Sequence, residues 1–139
     1  MGTRSLTVFV DEDNEEIAVL YRQFDGYPDG QGYDLTKFLK DRILVNGYTK
    51  TDEEKKNFNG MACLAAWFIG SVKTETGNFY LHKAGTRNCG EEFIYTVSGK
   101  TGQEAWIVCY DVYDKKILYQ GTASNMYRWI VNNFRGGVE

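Results

Sequence analysis

Arg4-Ser-Leu-Thr-Val-Phe-Val10 and Glu16-Ile-Ala-Val-Leu-Tyr-Arg-Gln-Phe24 are two runs of β-branched, aliphatic and aromatic residues separated only by Asp11-Glu-Asp-Asn-Glu15. Runs of that composition around a short polar turn predict a β-hairpin. In the second run Ile17, Val19 and Tyr21 share one face and Ala18, Leu20, Arg22 and Phe24 the other, because successive side chains of a strand alternate. Both faces stay largely apolar up to Arg22, which predicts a strand that is central or covered on both sides.

Working outward, Asp25-Gly-Tyr-Pro-Asp-Gly-Gln-Gly32 crowds three Gly and the only Pro of the chain into eight residues, turn chemistry that excludes helix and strand. Asp34 is placed to cap a short helix over residues 35–42, whose Leu35, Phe38 and Leu39 form an apolar stripe. The charged stretch Thr51–Asn57 reads as a solvated loop. The apolar segment from Asn59 to Val72 predicts a buried helix with Met61, Leu64, Phe68 and Val72 on one stripe. Ala62, Ala66 and Gly70 make a second stripe of small residues that permits close approach to the sheet or to another copy of the chain.

Residues 79–83, 93–98, 104–112 and 116–120 read as four further strands joined by turns at Ser98-Gly-Lys-Thr-Gly102 and Tyr113-Asp114, a meander. A closing helix over residues 124–134 ends at Gly136-Gly137. The order predicts one α+β domain over residues 1–139. Its antiparallel sheet has about six strands, an N-terminal hairpin plus a C-terminal meander, with about three helices packed on it.

Aromatic residues make up 15% of the 139 residues, with ten Tyr, and the formal net charge is −3. An acidic chain lacks the basic field that a nucleic-acid polymer requires, while tyrosine in that number points to contact surface or stacking. Cys63, Cys89 and Cys109 form no C-x-x-C pair and have only His82 beside them, which predicts three reduced thiols and no metal site. No long apolar run or signal sequence is present, so a cytoplasmic, membrane-free protein is expected.

Gly99-Lys100-Thr101 lacks the upstream glycine of a phosphate-binding loop and sits before a strand, so it reads as a hairpin turn. Cys89, seven residues after His82, has no orienting group that would make it a nucleophile. Asp25, Asp29, Glu91 and Glu92 would be the ligands of a metal-dependent nucleotide hydrolase, although acidic turns of this kind are ordinarily solvated. No catalytic residue, metal or cofactor is assigned.

Two stretches are richer. Tyr21-Arg-Gln-Phe-Asp-Gly-Tyr-Pro28 sets an Arg, an Asp and three rings at the exit of the second strand, and His82-Lys-Ala-Gly-Thr-Arg-Asn88 is a loop rich in donors. If they converge, Arg22 and Arg87 take phosphate with Lys83 and Thr86 assisting. Tyr21, Phe24 and Tyr27 then stack on a base, and Asp25 and Asn88 read its edges. The purely structural alternative pairs Arg22 with Asp25 and Arg87 with Glu91 or Glu92, with Tyr21 and Phe24 in the core.

Through Gly2-Thr-Arg-Ser5, Tyr21–Pro28, Asn59-Gly-Met61, Gly85-Thr-Arg87 and Gly90-Glu-Glu92, the sequence resembles a family of small proteins of tailed phages and prophages. The resemblance runs over most of the chain and implies expression inside a bacterial host cell. In that setting two expectations follow for a non-catalytic protein, in either case as a homo-oligomer. The first is sequestration of a small anionic ligand, a nucleotide or cyclic-nucleotide immune signal. The alternative is an interaction module that inhibits a host defence protein, and it predicts surface aromatic hot spots without a concave site.

Overall fold

A computed structural model describes residues 2–47 and 56–139; of the polar loop expected over residues 51–57, all but the last two lie outside them. The predicted hairpin is β1 (Ser5–Val10) and β2 (Glu16–Arg22), paired antiparallel with Val8 opposite Val19. Its turn is closed by Asp11, whose Oδ1 accepts from the backbone N–H of Asp13 and Glu15 at 2.8 and 3.0 Å, the local bonding for which Asp is favoured in turns.

The Gly-rich stretch departs from expectation. Pro28–Gly32 winds into a single wide helical turn, interrupted at Asp29, that runs directly into α1 (Tyr33–Leu39). The missing Cβ at Gly30 allows this, because a Cβ there would collide with the Asp25 carbonyl. Asp34 is therefore inside the first turn and caps nothing. The helix stops at Leu39, three residues early, because Lys40 turns to an extended conformation.

Two-residue strands β3 (Leu44–Val45) and β4 (Phe58–Asn59) pair parallel ahead of α2 (Gly60–Val72). The helix buries Met61, Leu64, Ala65 and Phe68, and its small-residue stripe of Ala62, Ala66 and Gly70 faces away from the sheet. Then follow β5 (Phe79–His82), β6 (Phe93–Ser98), β7 (Trp106–Asp111), β8 (Lys116–Thr122) and α3 (Ala123–Phe134). Thr122 caps α3, its hydroxyl accepting from the N–H of Asn125 at 3.2 Å.

The six main strands form one sheet in the order β5-β2-β1-β6-β7-β8, antiparallel except for the parallel pair β1–β6. This is the α+β arrangement read from the sequence, with the meander confined to β6–β8. The strand expected to open that meander, β5, lies at the far edge beside β2, where Tyr80 meets Tyr21 with ring centroids 6.1 Å apart.

All three helices cover one face. Phe9, Leu20, Tyr95, Val97, Ile107 and Cys109 of the sheet pack there with Leu35, Leu39, Leu64, Phe68, Met126 and Ile130. Each fully buried side chain of this size contributes about 1.5–3 kcal/mol. The opposite face carries a second, small core of Leu6, Val8 and Val19, with Cys89 and Ile94 packed against it. Residues 83–92 lead from β5 across to β6 and pass over that small core, so β1 and β2 are covered on both faces. Among the described residues no helix is long and apolar enough to cross a membrane.

Candidate functional site

Arg22 points to the helix face and is almost wholly buried. Its Nη1 donates to Gln31 Oε1 at 2.9 Å and Asp34 Oδ2 at 2.7 Å, its Nε donates to the Phe24 carbonyl at 2.6 Å, and the guanidinium lies 4.9 Å from the Phe79 ring centre. Gln31 passes the network on, donating from Nε2 to Thr7 Oγ1 at 2.8 Å. The ion-pair partner of Arg22 is thus Asp34 across the wide turn, and not Asp25 as the structural alternative expects. Asp25 adopts positive φ and accepts a 3.1 Å hydrogen bond from the Tyr27 hydroxyl, which raises the pKa of that phenol. Phe24 is 46% exposed and outside the core.

Arg87 is held elsewhere. It grips Glu16 with both arms, Nη2 to Oε2 at 2.7 Å and Nη1 to Oε1 at 3.2 Å, and Glu16 also accepts from the N–H of Gly85 at 2.8 Å. This bonding holds the Glu16 carboxyl below the usual carboxylate range. Glu91, the other expected partner, instead accepts from the N–H groups of Asn88 and Cys89.

Glu16 and Arg22 sit at opposite ends of a seven-residue strand, about 20 Å apart at 3.3 Å per residue, and their partners lie on opposite faces of the sheet. The structure does not bring the 21–28 and 82–88 stretches into one pocket. Tyr21 lies on the face opposite Arg22, 6.1 Å from the His82 ring. Lys83 and Asn88 are exposed, and the Thr86 hydroxyl donates to the Lys83 carbonyl at 2.7 Å.

The remaining candidates are equally dispersed. Asp29 pairs with Arg135, whose guanidinium stacks 3.4 Å from the Tyr33 ring centre. Among the described residues no three His, Cys, Asp or Glu side chains are grouped to hold a metal ion. Burial, with Glu91 adding to it, raises the Cys89 thiol, and burial pushes Cys109 up to about 12. Raised thiols are poor nucleophiles because the thiolate is the reacting form.

What the fold does assemble is a surface. Since Tyr95, Val97, Ile107 and Cys109 face the helices, alternation puts Thr96, Trp106, Val108 and Tyr110 on the other side. Register adds Gln120 opposite Val108, Thr122 opposite Trp106 and Ile117 opposite Tyr110. No charged residue occurs in this set. Trp106 is 44% and Ile117 50% exposed, and Tyr113 projects at the end of the β7–β8 turn at 72%. Among the described residues, the crossover of residues 83–92 shields the corresponding face of β1 and β2, and no segment covers that face of β6–β8. A solvated antiparallel face ordinarily alternates to polar and charged residues, whereas this one combines polar and apolar side chains and carries no charge.

At the upper end of this face Trp106 also lines a cleft of about 340 Å³ between the 11–15 and 98–104 turns. Its walls carry Asp11, Glu12 and Glu104 against one cation, Lys100. Glu12 also serves the fold, since its Oε2 accepts from the N–H of Met61 at 2.9 Å, a carboxylate at the positive end of α2. Sequence reading passes over this face because Trp106, Val108 and Tyr110 look like ordinary strand residues. The available signal is the missing charge on alternate positions of three consecutive strands.

Comparison of the chain with protein-family models, with curated proteins and with solved structures finds no match.

Proposed function

We propose that this protein is a non-catalytic protein-interaction module that docks a partner on the open face of β6, β7 and β8. The observation that carries the reading is the uncharged face with Trp106 and Ile117 half exposed toward its two ends. Aromatic residues with a depletion of charge are the composition of an interface core, and Trp and Tyr are the residue types on which binding energy concentrates. The adjoining cleft, with Asp11, Glu12 and Glu104, suits a basic side chain at the rim of the partner's apolar patch. In the phage setting implied by the resemblance, that partner is a host defence protein.

The small-ligand reading places phosphate on Arg22 and Arg87, but each of these is already paired with a carboxylate and the two are held at opposite ends of β2.

The test is site-directed photocrosslinking in host cells, with a photoreactive residue at Tyr110 and, as control, at Trp67 on the helix side. A discrete adduct formed from position 110, absent from position 67 and lost on Trp106→Ala, is the expected result. Adducts of equal yield at both positions, or an adduct indifferent to Trp106→Ala, overturn the reading. A nucleotide released from the purified protein by denaturation favours the ligand reading instead.

A further inference from the structure

The face offered by β6–β8 continues beneath the crossover. Residues paired across a sheet project to the same side, and the register runs Tyr21–Leu6–Ile94–Tyr110–Ile117 across β2, β1, β6, β7 and β8. Every member of this row is large and uncharged. A second row, Val19–Val8–Thr96–Val108–Gln120, lies beside it and carries no charge either. The crossover of residues 83–92 divides this surface, and beneath it Leu6, Val8 and Val19 are at most 1% exposed.

That cover is held on lightly. Ala84 and Cys89 are the only apolar residues between Lys83 and Glu92, and the segment forms neither helix nor strand. Glu91 serves the segment's own shape, accepting from the N–H groups of Asn88 and Cys89 at 3.2 and 2.6 Å. Among the described residues, every hydrogen bond that joins residues 84–91 to the chain outside the crossover ends on one carboxylate, Glu16, which takes the Gly85 N–H and both arms of Arg87. The Glu16 and Arg87 side chains are 29% and 34% exposed, so water reaches the pair and weakens it. Segments with few apolar contacts and solvent-exposed bonds open at a small fraction of the global unfolding free energy.

We infer that residues 83–92 are an autoinhibitory strap. Fastened to Glu16 they cover the β1–β2 half of the docking face, and release from Glu16 uncovers it for the partner's apolar patch. The inference rests on the docking role proposed for β6–β8. Release widens the face from three strands to five, from about 14 to about 24 Å at about 4.8 Å per strand. The sheet survives the opening because both ends of the strap stay anchored. His82 remains paired with Val19, and Glu92 keeps its backbone bonds to Arg4 and Val112. A partner that touches both halves binds the open form alone and draws the population towards it.

Thiol labelling of the purified chain reads the strap without any partner. Val8→Cys puts a thiol beneath the strap with little change of volume, and Cys109, buried on the helix side, reports global unfolding. Mass spectrometry of the digested protein separates the two sites. In that background Glu16→Ala is expected to speed labelling at position 8 by about tenfold, the equivalent of one lost charge-assisted bond, with Cys109 still unlabelled. Without the Val8→Cys change, it is also expected to raise the photoadduct formed from position 110 in host cells several-fold. Arg87→Gln alters only a loop side chain; it is expected to act in the same direction and decides the matter if Glu16→Ala does not fold. Labelling at position 8 that neither substitution changes, or that rises only together with Cys109, overturns the strap. Faster labelling with an unchanged adduct overturns the autoinhibition and leaves the docking role standing. No adduct from position 110 in wild type or variant removes the docking role itself, and the autoinhibition with it.

Discussion

Replacing Arg22 by Ala tests whether this residue holds the fold or waits for a ligand. The substitution leaves Gln31 Oε1, in a side chain with no exposure, without its donor, at a cost of about 1–3 kcal/mol for an unsatisfied buried acceptor. Loss of the packed stem beneath Phe79 adds about 1–2 kcal/mol. The Asp34 contact counts for little, because that carboxylate is 44% exposed and solvent screens it. A total of about 2–5 kcal/mol is a large part of the roughly 5–15 kcal/mol that holds a domain folded. It corresponds to a fall of roughly 7–17 °C in melting midpoint for a chain of this length. Urea and thermal unfolding followed by fluorescence of Trp67, Trp106 and Trp129 would measure it. Arg22→Lys should fall between the two, since one ammonium cannot span Gln31, Asp34 and the Phe24 carbonyl at once. A midpoint for Arg22→Ala within about 3 °C of wild type, roughly 1 kcal/mol, would refute the structural assignment and return Arg22 to the candidate ligand-binding groups.

Two further outcomes follow from the loop over the small core and from the thiols. The folded-state pKa of Glu16 lies below its ordinary value of 4.5 because of Arg87, so the unfolded chain binds more protons between the two values. The stabilisation from this pair is full above 4.5 and is lost as pH falls through the lowered value. Arg87→Gln should therefore show a flatter decline of stability on acidification than wild type, and identical urea-midpoint curves below 4.5 would contradict the pairing. Alkylation under native conditions should modify partly buried Cys63 before Cys89, whose thiol burial raises. Cys109, buried and with its thiol pushed up to about 12, should react only after unfolding, and mass spectrometry of the labelled protein reads this order directly.

Much of the architecture is legible in the sequence because it is written locally. The alternation in residues 4–24, the apolar run of α2 and the capped amphipathic stripe of α3 each depend on neighbours a few positions away. What escapes is everything set by partners distant in sequence. A pattern such as Phe79–His82 announces a strand but not whether it lies beside β6 or β2. The same limit governs the arginines. Proximity along the chain matches Arg22 with Asp25 and Arg87 with Glu91 or Glu92, whereas the fold supplies Asp34 through the wide turn and Glu16 through the crossover. The candidate surface is hidden for a related reason. Trp106, Val108 and Tyr110 suit a core or an exposed face equally well, and only the placement of all three helices on the other side shows which they occupy.

The parallel pairing of β1 with β6 has a consequence for how the chain is made. Ser5 lies beside Phe93, so β1 waits for a segment some 88 residues further along the chain before its second neighbour exists. Contacts between such distant segments slow folding, since a long loop must close before they form. Until then β1 keeps an unpaired edge on the side that β6 will fill, and open strand edges of that kind are where aggregation begins. C-terminal truncations that remove β6 should therefore be recovered as insoluble chains.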